Sequence, residues 1–183
     1  MDNKQKVVSN LIWRFMERFG SQLVSFVVQI VLARMLDPAV FGTVAKVTII
    51  TTILLVFVDS GMANSLIQKK DPDDLDFSSV FYFNVAFCLV LYALLFAAAP
   101  AISRMYGEAQ LAPVIRVLGL TVVVAGVKNV QQAYVSKTLQ FKRFFFATLG
   151  GTLLSAAVGI GMVMRGFGVW ALVVQMLFNA AVD

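Results

Sequence analysis

Apolar runs of about 20 residues, the length a helix needs to cross a bilayer, recur along nearly the whole chain. Nothing else constrains its fold as strongly. Inside hydrocarbon every backbone N–H and C=O must find its partner within the protein, and a helix does this within each run. Composition agrees: 60% of the 183 residues are hydrophobic and 14% are charged, against about 25% charged in soluble domains. The expected fold class is all-α, a polytopic transmembrane helix bundle of about six spans, with no room for a sizeable soluble domain. The net charge of +5 is then read loop by loop as topology and cavity lining, not as a nucleic-acid signal.

Six spans are expected, at about 11–36, 41–67, 77–105, 112–134, 144–164 and 169–183. Asp37-Pro38 breaks the first from the second, because proline disfavours helical geometry in the residue before it. The second softens at Ser60-Gly61 and leads into the charged loop QKKDPDDLD at 68–76. Pro100 kinks or ends the third, and a short polar turn at 106–111 precedes the fourth. The polar stretch QQAYVSKTLQFKR at 131–143 reads either as an amphipathic segment on the membrane surface or as an ordinary basic loop with aromatic anchors. Arg165-Gly166-Phe167-Gly168 makes a tight hairpin. The sixth span holds about 15 residues, short of the roughly 20 needed, and is expected to be cut off inside or near the end of a helix. The N-terminal MDNKQK and the run behind it could suggest a signal peptide, but the run is too long, carries Arg14, Glu17 and Arg18, and lacks a small-residue cleavage site.

Orientation follows from the basic residues. With the N-terminus inside, that side holds Lys4, Lys6, Arg14, Arg18, Lys69, Lys70, Lys137, Lys142 and Arg143, and the other holds Arg34, Arg104 and Arg165. The excess places the N-terminus in the cytoplasm.

The first span carries a polar stripe. At about 100° per residue, Arg14, Arg18, Ser21, Gln22, Ser25 and Gln29 fall on one arc, and Trp13, Phe15, Phe19, Leu23, Val27, Ile30 and Val31 cover most of the rest. Three readings stand. The arginines snorkel to the interface; the stripe lines a cationic cavity; or its polar residues hold helices together. Snorkelling does not explain why the stripe continues to Gln29. Lys46, Arg116 and Lys128 also lie within spans, as does Asp59. Lys46 and Asp59 stand 13 residues apart, roughly 20 Å along the axis, so they cannot pair with each other. Lys46 and Asp59 either face an interior or lie near the ends of a tilted helix. Gly151, Ser155 and Gly159, at spacing four on the fifth span, read as close helix packing.

Catalysis finds no foothold. The chain has no histidine and one cysteine, Cys88, inside an apolar run, so neither a disulfide framework nor a thiolate cluster is expected. The acidic DPDDLD does not match the spacing of a calcium loop. No metal and no cofactor are expected, and the chain is not read as an enzyme.

Four stretches carry a resemblance. VLARMLDPAVFGTVA at 31–45 resembles the L-A-R-x-L-x-P-x-x-F-G pattern of bacterial polysaccharide exporters. Asp59-Ser60-Gly61 followed by ANSLIQ at 63–68 is similar to the segment closing their second helix. TLQFKRFF at 138–145 and GFGVWALVVQ at 166–175 resemble the segments that open their fifth and sixth. The family is the lipopolysaccharide/polysaccharide flippases of the multidrug/oligosaccharidyl-lipid/polysaccharide exporter superfamily. The resemblance implies the first six-helix lobe of a transporter in the bacterial inner membrane. Its substrate would be a polyprenyl-pyrophosphate-linked oligosaccharide, moved between leaflets for polysaccharide or lipopolysaccharide biosynthesis. Besides that substrate and membrane lipids, a second lobe or a second copy is the implied partner. Arg14, Arg18, Lys46 and Lys128 would then offer counter-charge to the pyrophosphate, with Ser21, Gln22, Ser25 and Gln29 as the polar wall and Asp59 as an ion-coupling group. The competing reading is a truncated remnant or membrane assembly protein whose polar faces serve packing alone.

Overall fold

The computed structural model describes the backbone of residues 3–58, 74–138 and 141–182; the side chains of residues 3–11, 13, 14, 17, 74–77, 130–138 and 141–147 lie outside the described set. The described chain is an all-α membrane helix bundle. Its helices are α1 (Asn3–Met35), α2 (Pro38–Val58), α3 (Asp74–Tyr106), α4 (Leu111–Leu118), α5 (Leu120–Thr138), α6 (Phe141–Met164) and α7 (Val169–Val182). Helices α4 and α5 run on through Gly119, whose φ of −57° and ψ of −25° are helical. The 3.0 Å bond from Val122 N–H to Gly119 O reaches back three residues, a local 3₁₀ tightening of one rod. Among the described residues α2, α3 from Ser78, and the rod Leu111–Asn129 are long and apolar enough to cross a membrane; Thr148–Met164 and α7 are apolar but shorter.

Of the two outcomes expected at Pro100, a kink or an end, the end is excluded: α3 continues through it to Tyr106. Proline removes one ladder bond, and burial of Ala99 and Ser103 on either side keeps the helix seated past it. The polar stretch 131–143 is not a loop over most of its length: α5 extends to Thr138 and α6 starts at Phe141. Gln, Ala and Lys are good helix formers and the stretch has no Gly or Pro, so polarity alone does not stop a helix already nucleated by its apolar part. Residues 59–73, with Asp59, Ser60-Gly61 and most of the charged loop, lie outside the described residues.

The chain separates into two compact units, one of Met1–Pro38 with Thr138–Asp183, the other of Ala39–Lys137. In the first unit α6 packs against both α1 and α7. The α6–α7 turn needs left-handed backbone at Gly166 (φ 79°) and Gly168 (φ 52°), which glycine adopts without steric cost. The two helices then run antiparallel at close range. Gly151 faces Val182, Ser155 faces Asn179 and Gly159 faces Gln175. A Cβ on Gly159 would stand 2.7 Å from Gln175 Cγ. The spacing-four line of small residues is therefore a packing seam, as the sequence reading had it. On α1, Val28 and Leu32 are buried, one and two turns beyond Ser25 and Ser21 on the same face.

In the second unit the buried residues of α2 are Val44, Val47, Thr51 and Val58, spaced to form one helix face. Those of α3 are Asn84, Cys88, Leu95, Ala99 and Ser103, and those of the α4–α5 rod include Leu111, Val114, Ile115, Leu118 and Val122. Val58, Cys88 and Val122 meet in one cluster, with Leu54 and Leu91 against it. Thr48 and Thr51 donate to Val44 O and Val47 O of their own helix, so neither leaves a polar group unpaired. Asn84 Nδ2 donates to Gly126 O at 2.9 Å, where the missing side chain of Gly126 lets α3 and α5 touch. The outward residues Ile49, Ile53, Val56, Phe57, Phe83, Val90 and Leu94 are large and exposed, as expected of helices whose solvent on that side is lipid.

Candidate functional site

The polar arc of α1 divides when it is folded. Ser21 and Ser25 are half-buried, on the side of the helix that holds Val28 and Leu32, whereas Arg18, Gln22 and Gln29 are exposed. Ser21 Oγ is buried with no hydrogen-bond partner among the described residues. The two serines thus fit the packing reading, and Arg18, Gln22 and Gln29 form the accessible edge. Arg14 falls within α1, and its side chain is outside the described set. Asp59 lies outside the described residues altogether.

Lys46 sits in the second unit, two turns into α2, and it is not a bare cation. Its ammonium donates to Glu108 Oε1 and forms an ion pair with it. Glu108 belongs to the turn between α3 and α4, and that turn is built to aim it. Gly107 takes φ 67°, its N–H donates to Arg104 O at 3.2 Å, and Glu108 N–H donates to Ser103 O at 3.2 Å. The buried Ser103 returns its hydroxyl proton to Glu108 O at 2.7 Å. With its backbone fixed twice, Glu108 also accepts from Thr43 Oγ1 at 3.4 Å, one turn before Lys46. The Tyr106 ring centroid lies 5.4 Å from Lys46 Nζ, within cation–π range. The hydrogen bond from Lys46 is the main reason the Glu108 carboxyl titrates below the usual carboxylate range; burial opposes it, and the Lys46 charge and the Thr43 hydroxyl add to it.

Sequence reasoning passed over Glu108 as part of a polar turn. The available signal was a lone glutamate beside a glycine, at the same end of the bundle as a lysine that needed a partner.

Arg116 was also passed over as a site residue. It lies on the α4–α5 rod, half-buried, with its guanidinium carbon 4.3 Å from the Phe96 ring centroid. Its Nε is buried without a hydrogen-bond partner among the described residues. Tyr92 donates to Arg116 O at 3.1 Å and meets Phe96 edge-on at 6.0 Å. Arg116 stands on the opposite face of α4 from the buried Leu111, Val114, Ile115 and Leu118. A guanidinium within a membrane rod is costly against lipid, and packing on the Phe96 ring covers part of it.

Lys128 is half-buried, two residues beyond Gly126. Gly126 meets Asn84, whereas Lys46 meets the turn past the far end of α3. Along α3, residues 84 and 106 are about 33 Å apart at 1.5 Å per residue. Lys46 and Lys128 therefore lie at opposite ends of the second unit, and Arg18 belongs to the first. Among the described residues no three His, Cys, Asp or Glu side chains stand together as a metal site would require.

A family model described as polysaccharide biosynthesis protein matches residues 31–183. The chain is 24% identical over 180 residues to the succinoglycan biosynthesis transport protein ExoT of Rhizobium meliloti, covering 98% of this chain and 36% of that protein. It is 27% identical over 143 residues to the lipopolysaccharide biosynthesis protein WzxC of Escherichia coli, covering 78% and 29%. To the teichuronic acid biosynthesis protein TuaB of Bacillus subtilis it is 25% identical over 91 residues, covering 50% and 19%. The chain thus spans about a third of the length of the first of these relatives. No solved structure matches it.

Proposed function

Since the chain belongs to the polysaccharide biosynthesis (flippase) family, we propose that it forms part of a transporter moving polyprenyl-pyrophosphate-linked oligosaccharide units across the bacterial inner membrane. The observation that carries this reading is the family match over residues 31–183 of an all-helical membrane chain. The relative named as a succinoglycan transport protein aligns over 98% of the chain and supports transport. Such a task needs no bond made or broken. It needs counter-charge for a pyrophosphate headgroup where water is scarce, and Arg and Lys supply it.

Arg18 on the open edge of α1 and Arg116 over Phe96 are the cations best disposed to serve. Arg116 has one planar face against the ring, and its fork of N–H donors suits a phosphate. Lys128 and Arg14 remain candidates on the same charge argument, and Asp59 remains the candidate for ion coupling.

The test is leaflet transfer. The protein is reconstituted in vesicles carrying a fluorescent farnesyl-pyrophosphate-linked sugar, and a membrane-impermeant quencher reads how much probe reaches the outer leaflet. Transfer above that of empty vesicles is expected, with Arg18→Gln and Arg116→Gln slowing it about tenfold, the loss of one charge-assisted contact. Transfer no faster than in empty vesicles would overturn the proposal and favour the assembly-protein reading.

A further inference from the structure

We infer that Glu108 is a displaceable counter-ion for Lys46, which gives up the lysine to a phosphate-class headgroup and takes a proton from water when it does so. The inference rests on the transport reading above and names a coupling group for it.

The geometry has the parts such an exchange needs. The pair is reachable: the side chains of Lys46 and Glu108 keep 34% and 35% of their surface exposed. The backbone of Glu108 is fixed by its own turn, through Ser103 and Gly107, and the carboxylate keeps the Thr43 hydroxyl as a second donor, so the turn does not depend on Lys46 for its position. Lys46 has a second resting place on the Tyr106 ring, so the ammonium need not lose every contact as the carboxylate lets go. Among the described residues Lys46 and Thr43 from α2 meet the Glu108 carboxylate, and Tyr106 from α3 meets Lys46. Arg104 ends α3 at the same turn, and Arg116 on α4 is turned to Phe96.

The direction of coupling follows. With Lys46 beside it, Glu108 stays ionised to below the usual carboxylate range. When an anion occupies Lys46, Glu108 loses its largest stabilising contact and gains a negative neighbour. Both changes raise its proton affinity. Proton uptake on binding means that binding tightens as pH falls, and by linkage the two ligands help each other equally. The proton adds to the carboxylate oxygen released by Lys46.

The experiment measures binding of radiolabelled farnesyl pyrophosphate to the full chain in lipid nanodiscs at pH 8 and pH 5. Three proteins are compared: the unsubstituted chain, Glu108→Gln and Lys46→Met. The expected result is that Glu108→Gln binds about fivefold tighter than the unsubstituted chain at pH 8, the worth of a half-exposed ion pair. The gap between the two should narrow toward pH 5, while Lys46→Met binds weakly at both. Comparison at equal pH cancels the ionisation of the probe itself. If Glu108→Gln binds no tighter at pH 8, or the gap between the two does not narrow at pH 5, the exchange is refuted while a role for Lys46 stands. If Lys46→Met binds as well as the unsubstituted chain, Lys46 holds no headgroup and the inference is refuted while counter-charge from Arg18 and Arg116 stands; if the unsubstituted chain binds nothing, the counter-charge reading fails with it. Glu108→Asp, which keeps the charge and the turn, should behave as the unsubstituted chain; binding like Glu108→Gln would trace the effect to a disturbed turn and overturn the inference.

Discussion

Gly126→Ala is the smallest perturbation that tests how the second unit is held together. A Cβ at this position would stand 2.5 Å from Cys88 Sγ and 3.0 Å from Cys88 Cβ, against ordinary contact at about 3.5–4.0 Å. Cys88 is fully buried, clustered with Val58 and Val122, and has no open space to swing into. Helix α5 must therefore move by about 1 Å from α3, and that also stretches the 2.9 Å bond from Asn84 to Gly126 O. Overpacking of this kind costs roughly 1–3 kcal/mol, set against a gain of up to about 1 kcal/mol for Ala over Gly in a helix. A net loss of about 1–2 kcal/mol remains. Removing the thiol should return part of it, so the double variant Gly126→Ala/Cys88→Ala should be more stable than the sum of the singles by about 1 kcal/mol. Reversible unfolding in mixed micelles, read by circular dichroism, measures all four corners of this cycle. A neutral or stabilising Gly126→Ala, or strict additivity in the cycle, would show that α3 and α5 do not touch at this point.

In the first unit, Gly159→Leu should separate α6 from α7, since even a Cβ there meets Gln175 Cγ at 2.7 Å. A cysteine pair placed at Ser155 and Asn179 should crosslink readily in the unsubstituted background and poorly with Gly159→Leu. Acid should open the Lys46–Glu108 pair. Because the Glu108 carboxyl titrates below its ordinary range, the pair stabilises the fold above that range and stops doing so as pH falls through the lowered value. The difference in thermal midpoint between the unsubstituted chain and Glu108→Gln should thus be constant from about pH 8 to pH 5 and close below about pH 4. A difference that persists unchanged at pH 3 would contradict the pairing.

What could be read from the sequence was whatever depends on near neighbours along the chain. The hairpin at 165–168 declares itself through two glycines around one aromatic residue. The line Gly151, Ser155, Gly159 declares its packing role because small residues at spacing four can only matter to a helix lying across them. The polar arc of α1 was visible for the same reason, yet its division was not. A helical projection gives angles and no neighbours, so Ser21 and Ser25 looked equivalent to Gln22 and Gln29 until one side met the packed face. Glu108 was invisible for a different reason. Its partner is 62 residues away, and the pairing exists only once α3 has brought the turn back to the height of α2.

The position of Glu108 outside the membrane rods separates a releasable pair from a permanent one. Lys46 enters two turns into α2 and needs neutralisation while it is half-buried. A carboxylate within a neighbouring span could supply it, but each separation would then strand an ion in a poorly hydrated place, at a cost of several kcal/mol. A carboxylate on a turn at the end of the rods returns to water when it lets go, or takes up a proton there. Arg116 shows the opposite arrangement. Its neighbour is the Phe96 ring, which carries no proton to exchange. The second unit therefore holds one cation set against an aromatic ring and one whose charge is guarded by a group that answers to protons. Exchanging the ammonium for a guanidinium by Lys46→Arg keeps the ion pair and adds a second N–H toward carboxylate and phosphate alike, so headgroup binding at neutral pH should change far less than it does in Glu108→Gln.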